Sequence, residues 1–248
     1  MTTEQDEDTK KRWNLQQLRQ DVERLFGDQQ LRIINQCLRT IGDRRAFARY
    51  HHGEAISKMD AVTQHDTEAE LTAALMGAFD TDELSFSGMR FEASAHVIAC
   101  VQNMHAIVDN MVHFVYYALG LNLDTQRAIK KERAINWQNV RDKLPPGPIK
   151  SGLTSLSDEP GFTYLSALSN HSKHRSIVEV DYSINFHSDT HGLRFTPFSY
   201  DGIHYPAAWV RPTLRDEYQR QEDLILRIGK SVNTELASRP DSHPSSTP

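Results

Sequence analysis

The chain has 248 residues, 38% of them hydrophobic, and carries a formal net charge of -5. That much apolar material can fill one large core, while a net negative charge gives no global attraction to nucleic acid or an anionic membrane, so any phosphate contact must come from a local patch. Met1 to Arg12 is polar and charged where a secretory leader would be apolar, and the cysteines are limited to Cys37 and Cys100. Both features predict a cytoplasmic protein in a reducing compartment.

Residues 1–11 and 238–248 have the charge-rich or Pro/Ser-rich composition of disordered tails, which leaves 12–237 as a single predicted domain. Trp13, Leu15, Leu18, Val22, Leu25 and Phe26 recur at helical spacing, and Leu31, Ile34, Cys37, Leu38 and Ile41 continue the stripe after Gly27-Asp28. The pattern predicts a long first helix with a break at that pair. Asp43 is placed to cap a second helix running to about Met59, and Thr67 with Glu70 forms a capping box for a third reaching Phe79. Next come a long apolar helix over Phe91 to Leu119 and a further helix over Thr125 to Lys143, which must stop before Pro145, Pro146 and Pro148. Phe162 to His174 reads as a short helix.

From Val178 to Phe186 apolar and polar residues alternate strictly, the period of a half-buried strand. His187 to Gly192 is a turn, Leu193 to Tyr200 a second strand, and Asp201-Gly202 a tight hairpin into Ile203 to Val210. Thr213 caps a last helix with Leu214, Tyr218, Ile225, Ile228, Val232 and Leu236 on its buried stripe. The predicted fold class is mainly α: a helical bundle with a small three-stranded antiparallel β-meander, at about 177–210, inserted before the C-terminal helix.

The long helix carries the most chemistry. At ~100° per residue, His96, Gln102, Asn103, His105, Asp109, Asn110, His113, Tyr116 and Tyr117 share one half of its circumference, and no lysine or arginine joins them. A water-exposed face would be studded with Lys and Glu, so this arc predicts a buried layer or the wall of a cleft. Glu92, Asp109 and the three histidines are expensive in hydrocarbon, so the helix is read as central and buried and no membrane partner is expected.

Four places compete for function. In Asn170-His171-Ser172-Lys173-His174-Arg175, His171 and His174 can act as acid and base, Arg175 can stabilise charge on a phosphoryl centre, and Asn170 and Lys173 can bind substrate. The alternative is that these cations simply complement a helix C-terminus. His105, Asp109 and His113 stand four apart on one face, as a metal-ligand row or a hydrogen-bonded supporting seam. One helix cannot close a coordination sphere and no Glu-x-x-His partner is present, so neither a metal nor another cofactor is expected. His51, His52, Gly53 and Glu54 follow Arg44, Arg45 and Arg49 on what reads as a solvated basic face. Phe195, Phe198, Tyr200, Tyr205 and Trp209 form either a stacking platform or the core face of the meander.

A helical bundle whose polar groups converge on one internal seam resembles the HEPN superfamily, over roughly Trp13 to Arg175. That family's signature is an arginine followed after four to six residues by a histidine, a spacing met by Arg44 with His51, Arg45 with His51 or His52, and Arg90 with His96. The resemblance implies a metal-independent ribonuclease of toxin or phage-defence type, acting on RNA and working as a homodimer. The other reading is a non-catalytic helical sensor or scaffold that binds a partner protein or a small ligand.

Overall fold

The computed structural model describes residues 12–63, 86–185 and 190–241. Helix α1 spans Leu15–Thr63 and α2 Phe86–Ala118; a 3-10 turn at Glu132–Ala134 precedes α3 (Trp137–Arg141), α4 (Pro148–Asp158) and α5 (Pro160–His174). Strands β1 (Val180–Asn185), β2 (Thr190–Phe195), β3 (Phe198–Tyr200), β4 (Ile203–Tyr205) and β5 (Ala208–Trp209) follow, and α6 (Val210–Ala237) closes the order. This is a mainly helical bundle with a small antiparallel sheet before its C-terminal helix, as the periodicities predict.

The break in α1 falls at Gly27, whose φ of 79° and ψ of 177° lie outside the helical region and suit a residue without Cβ. No second break occurs at Asp43, where a new helix was expected. Gly42 costs about 1 kcal/mol relative to alanine inside a helix, but burial of Ile41 and Ala48 on either side outweighs so small a propensity. The expected helix over Thr67 to Phe79 lies outside the described residues.

The helix expected over Thr125 to Lys143 does not form as one element. Asp124 accepts from the backbone N–H of Gln126 at 2.8 Å and binds Arg127 Nε at 2.7 Å, giving the backbone a turn in place of a helical ladder. Beyond the 3-10 turn, only the five residues of α3 are α-helical there, capped by Asn136, whose side chain accepts from Asn139 N at 3.0 Å. Pro148, before which a helix was expected to stop, begins the next one, and Pro160 begins another, where the missing N–H is not needed.

In the sheet, β1 pairs antiparallel with β2 and β2 with β5, while β3 and β4 form a hairpin between the last two. Each of the two expected later strands is thus split, at Pro197 and at Pro206, which have no N–H to give a ladder. Asp201 at φ 51° and Gly202 at φ 76° make the tight turn read from the sequence.

By contacts the chain forms two compact units. The first gathers residues up to Gly42, Ile107–Glu159 and those from Gln219 onward; the second gathers Asp43–Ala106 and Pro160–Tyr218. Helices α1, α2 and α6 each run through both units.

In the first unit Leu18, Val22, Ile34, Met111, Phe114, Leu153, Ile228 and Val232 are fully buried. Trp13 is held on three sides: its indole N–H donates to Asn233 Oδ1 at 3.1 Å, its ring meets Phe114 edge-on at 5.2 Å, and Asn233 donates to Asn14 O at 2.7 Å. Arg220 donates to the carbonyls of Ser155 and Leu156 at the end of α4. Gln30 spans the Tyr117 carbonyl at 2.6 Å and the Asn122 amide.

A Cβ at Gly229 would lie 2.4 Å from the Trp13 ring, which these bonds keep from moving aside. Gly229→Ala is expected to lower stability by about 1–3 kcal/mol, read as a fall in the urea midpoint. An unchanged midpoint would show that Trp13 is not fixed against α6.

Candidate functional site

The second unit is organised by polar rungs between α1 and α2. Arg44, His51 and Lys58 are seven residues apart, the spacing that returns to one side of a helix pair after two turns. Arg44 Nη1 donates to Asn103 Oδ1 at 2.9 Å, His51 Nδ1 lies 2.9 Å from His96 Nδ1, and Lys58 bonds Glu92. Asn103 is buried and donates onward to the Ala99 carbonyl at 2.8 Å. Around these rungs Ala48, Ala55, Met59, Ala93, Val97, Cys100 and Met104 are buried. Burial pushes the Cys100 thiol up to about 12, and Cys37 in the first unit to about 11, so neither supplies a thiolate nucleophile at neutral pH.

Below the last rung, α1 ends beside β1, β2, β5 and the start of α6, and a groove opens. Its deeper part, about 380 Å³, is floored by Ile56, Met59, Leu193 and Trp209. Its polar groups come from separate elements: Asp60 and Thr63 from α1, Tyr182 from β1, His191 from β2 and Arg211 from α6. Tyr182 Oη sits 2.5 Å from His191 Nδ1, and burial raises the phenol above its usual range, so it is protonated at neutral pH and available as a donor. Arg211 Nη2 lies 3.5 Å from Asp60 Oδ1, a loose pair whose members are both about half exposed. Arg194 lies 5.4 Å over the Trp209 ring and holds the indole from one face. A shallower hollow adjoins the groove through Ile56, Asp60 and Arg211 and is walled by His52, Gly53, Ser57 and Ala61.

Of the residues singled out from the sequence, His52 and Gly53 wall the hollow and Trp209 the groove, while His105 and the α5 cluster lie elsewhere. On α5, Asn170 Nδ2 donates to Ser166 Oγ at 3.2 Å, and Ser166 Oγ is 3.4 Å from His105 Nε2. Asn170 and His105 are thereby brought together, and the His105 ring stacks on Phe162 at 5.6 Å. His171 points the other way and is 7% exposed: its Nδ1 lies 2.6 Å from the Ser176 carbonyl, an arrangement that requires the proton on that nitrogen. Phe198 and Tyr200 flank its ring edge-on. Lys173, His174 and Arg175 are exposed on the last turn, with Arg175 Nη1 reaching the Ser199 carbonyl at 3.5 Å. Asp109 is exposed and His113 half-buried 6.3 Å from Tyr117; both belong to the first unit, His105 to the second.

Phe195 and Phe198 are buried and pack with Tyr164 and Tyr205, Phe198 stacking on Tyr205 at 4.9 Å, while Trp209 alone of the expected platform lines the groove. Among the described residues, no group of three or more His, Cys, Asp and Glu side chains is placed to hold a metal, and no helix is long and apolar enough to cross a membrane. Sequence reasoning missed the groove because its five polar contributors lie up to 151 positions apart, the separation of Asp60 and Arg211. The rungs left a legible signal in the seven-residue spacing of Arg44, His51 and Lys58 and of His96 and Asn103.

No family profile matches the chain, and no solved structure matches it. The mitochondrial peptide chain release factor 1 of Mus musculus is similar at 25% identity over 237 residues, 93% of this chain and 46% of that protein. The chain thus spans about half the length of the curated relative it matches, and an identity this low does not establish a shared family.

His51 and His52 both ionise below the ordinary imidazole range. Burial is the main cause for each, reinforced by His96 for His51 and by Arg211 for His52, with Glu54 opposing at His51. A histidine depressed in the folded state favours the unfolded chain once acid protonates it, so their stability contribution is intact above about pH 6.5 and lost as pH falls through the window below. The urea midpoint is expected to drop between about pH 7 and pH 5.5, and less in a His51→Gln/His52→Gln variant. Equal pH slopes in the two proteins would remove these histidines as the cause.

Proposed function

We propose that the chain is a non-catalytic helical sensor or scaffold module that binds a small ligand in the groove at the end of α1. The observation that carries this reading is an apolar floor ringed by hydrogen-bonding groups drawn from four elements, the usual composition of a small-molecule site. The floor supplies burial, and the Tyr182–His191 and Asp60–Arg211 pairs supply orientation. The separation of the acid and base candidates on α5 also favours binding over turnover: His171 is tied to a carbonyl and buried, while His174 faces outward. A cytosolic location fits two free thiols.

The test is a fragment titration of the full chain followed by methyl NMR. The module reading expects shifts clustered on Ile56, Met59 and Leu193, and a Trp209→Ala variant that binds the same fragments about tenfold more weakly, or 1.4 kcal/mol. Shifts scattered over the surface would refute it.

A second reading keeps one observation of its own. Lys173, His174 and Arg175 are exposed together at the end of α5, as a HEPN-like ribonuclease acting on RNA, alone or as a homodimer, would need for contact with phosphates. That reading expects phosphodiester cleavage by the pure protein that His174→Ala abolishes. Cleavage unaffected by the substitution, or none at all, would rule the α5 cluster out as a catalytic site.

A further inference from the structure

Two features of the groove say what kind of ligand it takes, given the binding role proposed above. Arg211 stands at the junction of the deep and shallow parts, and its nearest carboxylate, Asp60, is at the 3.5 Å limit of a hydrogen bond. Arginine forms strong bidentate pairs with planar or tetrahedral anions at shorter range, so this fork is not matched by its present partner. On the wall of the shallow part, His52 Nε2 is buried and has no hydrogen-bond partner among the described residues. A buried ring nitrogen left without a partner is costly, and with the proton on Nε2 a ligand oxygen that accepts a hydrogen bond from it offsets that cost.

We infer that the groove binds an apolar molecule with an anionic head, the head held between Arg211 and His52 and the body lying over Ile56, Met59, Leu193 and Trp209. The head is a carboxylate or a phosphate, both of which present two oxygens to a guanidinium. Trp209, steadied by Arg194, favours a flat body that can lie on the indole face. Asp60 selects against loosely held anions: an incoming head has to draw Arg211 away from it and come to rest close to its charge. The apolar body supplies the burial that makes this exchange favourable.

Calorimetric titration of the full chain with naphthoate, naphthyl phosphate and uncharged naphthylmethanol separates the possibilities, because the three share one apolar body. Naphthoate or naphthyl phosphate is expected to bind at least about tenfold tighter than the alcohol, and the tighter of the two identifies the head. Arg211→Gln and His52→Gln should each abolish this preference, bringing the anions to the affinity the same variant shows for the alcohol. Asp60→Asn should strengthen binding of the anions, since it frees Arg211 and removes a repelling charge; a gain of this kind cannot come from misfolding. Equal affinity for all three compounds would overturn the anionic head and leave the groove as a binding site. Failure of all three to bind would overturn both.

Discussion

The wall that α1 gives the groove depends on the register between α1 and α2. Two apolar helices can slide past one another by a turn with little change in burial, whereas a polar side chain that loses its partner in a half-buried seam costs ~1–3 kcal/mol. The rungs Arg44–Asn103, His51–His96 and Lys58–Glu92 remove that freedom at three successive levels. With the register set, the last turns of α1 present Ile56, Met59, Asp60 and Thr63 on the side occupied by the sheet. A slip of one turn would carry Asp60 away from Arg211.

α2 has a second duty in the same unit. Arg90 bonds Asp181 at 2.9 Å and Ser94 donates to the Val180 carbonyl at 3.3 Å, which ties β1 to the helix. Phe86 meets the Tyr182 ring edge-on at 5.4 Å and supports the phenol that lines the groove. The polar arc noticed on this helix is therefore shared out among several tasks: His96 and Asn103 set register, His105 reaches α5 through Ser166, and Asp109 is exposed. Absence of lysine and arginine from the arc reflects these close packings.

Local rules made much of the fold legible. The period-two run became β1, Asp201-Gly202 became the hairpin turn, and Gly27 broke α1 where its backbone leaves the helical region. Local rules mislead where two of them compete. Asp124 reads equally as the first residue of a helix or as a turn that satisfies its neighbours' N–H groups, and the turn prevailed. Pro148 both ends a helix and begins one, and only the burial of Leu153 and Leu156 against their own unit decides for the second. At the candidate site the limit is different. His52, Asp60, Tyr182, His191 and Arg211 carry no motif between them; they are neighbours because of the helix register and the sheet pairing, which no short window of sequence contains.

A double-mutant cycle on His51→Ala and His96→Ala tests that dependence most directly. A coupling energy of about 1 kcal/mol in unfolding is expected, together with methyl shifts at Ile56 and Met59 in each single variant. Strict additivity, with the groove methyls unmoved, would contradict it: the rungs would then be surface contacts and the groove would owe its shape to something else.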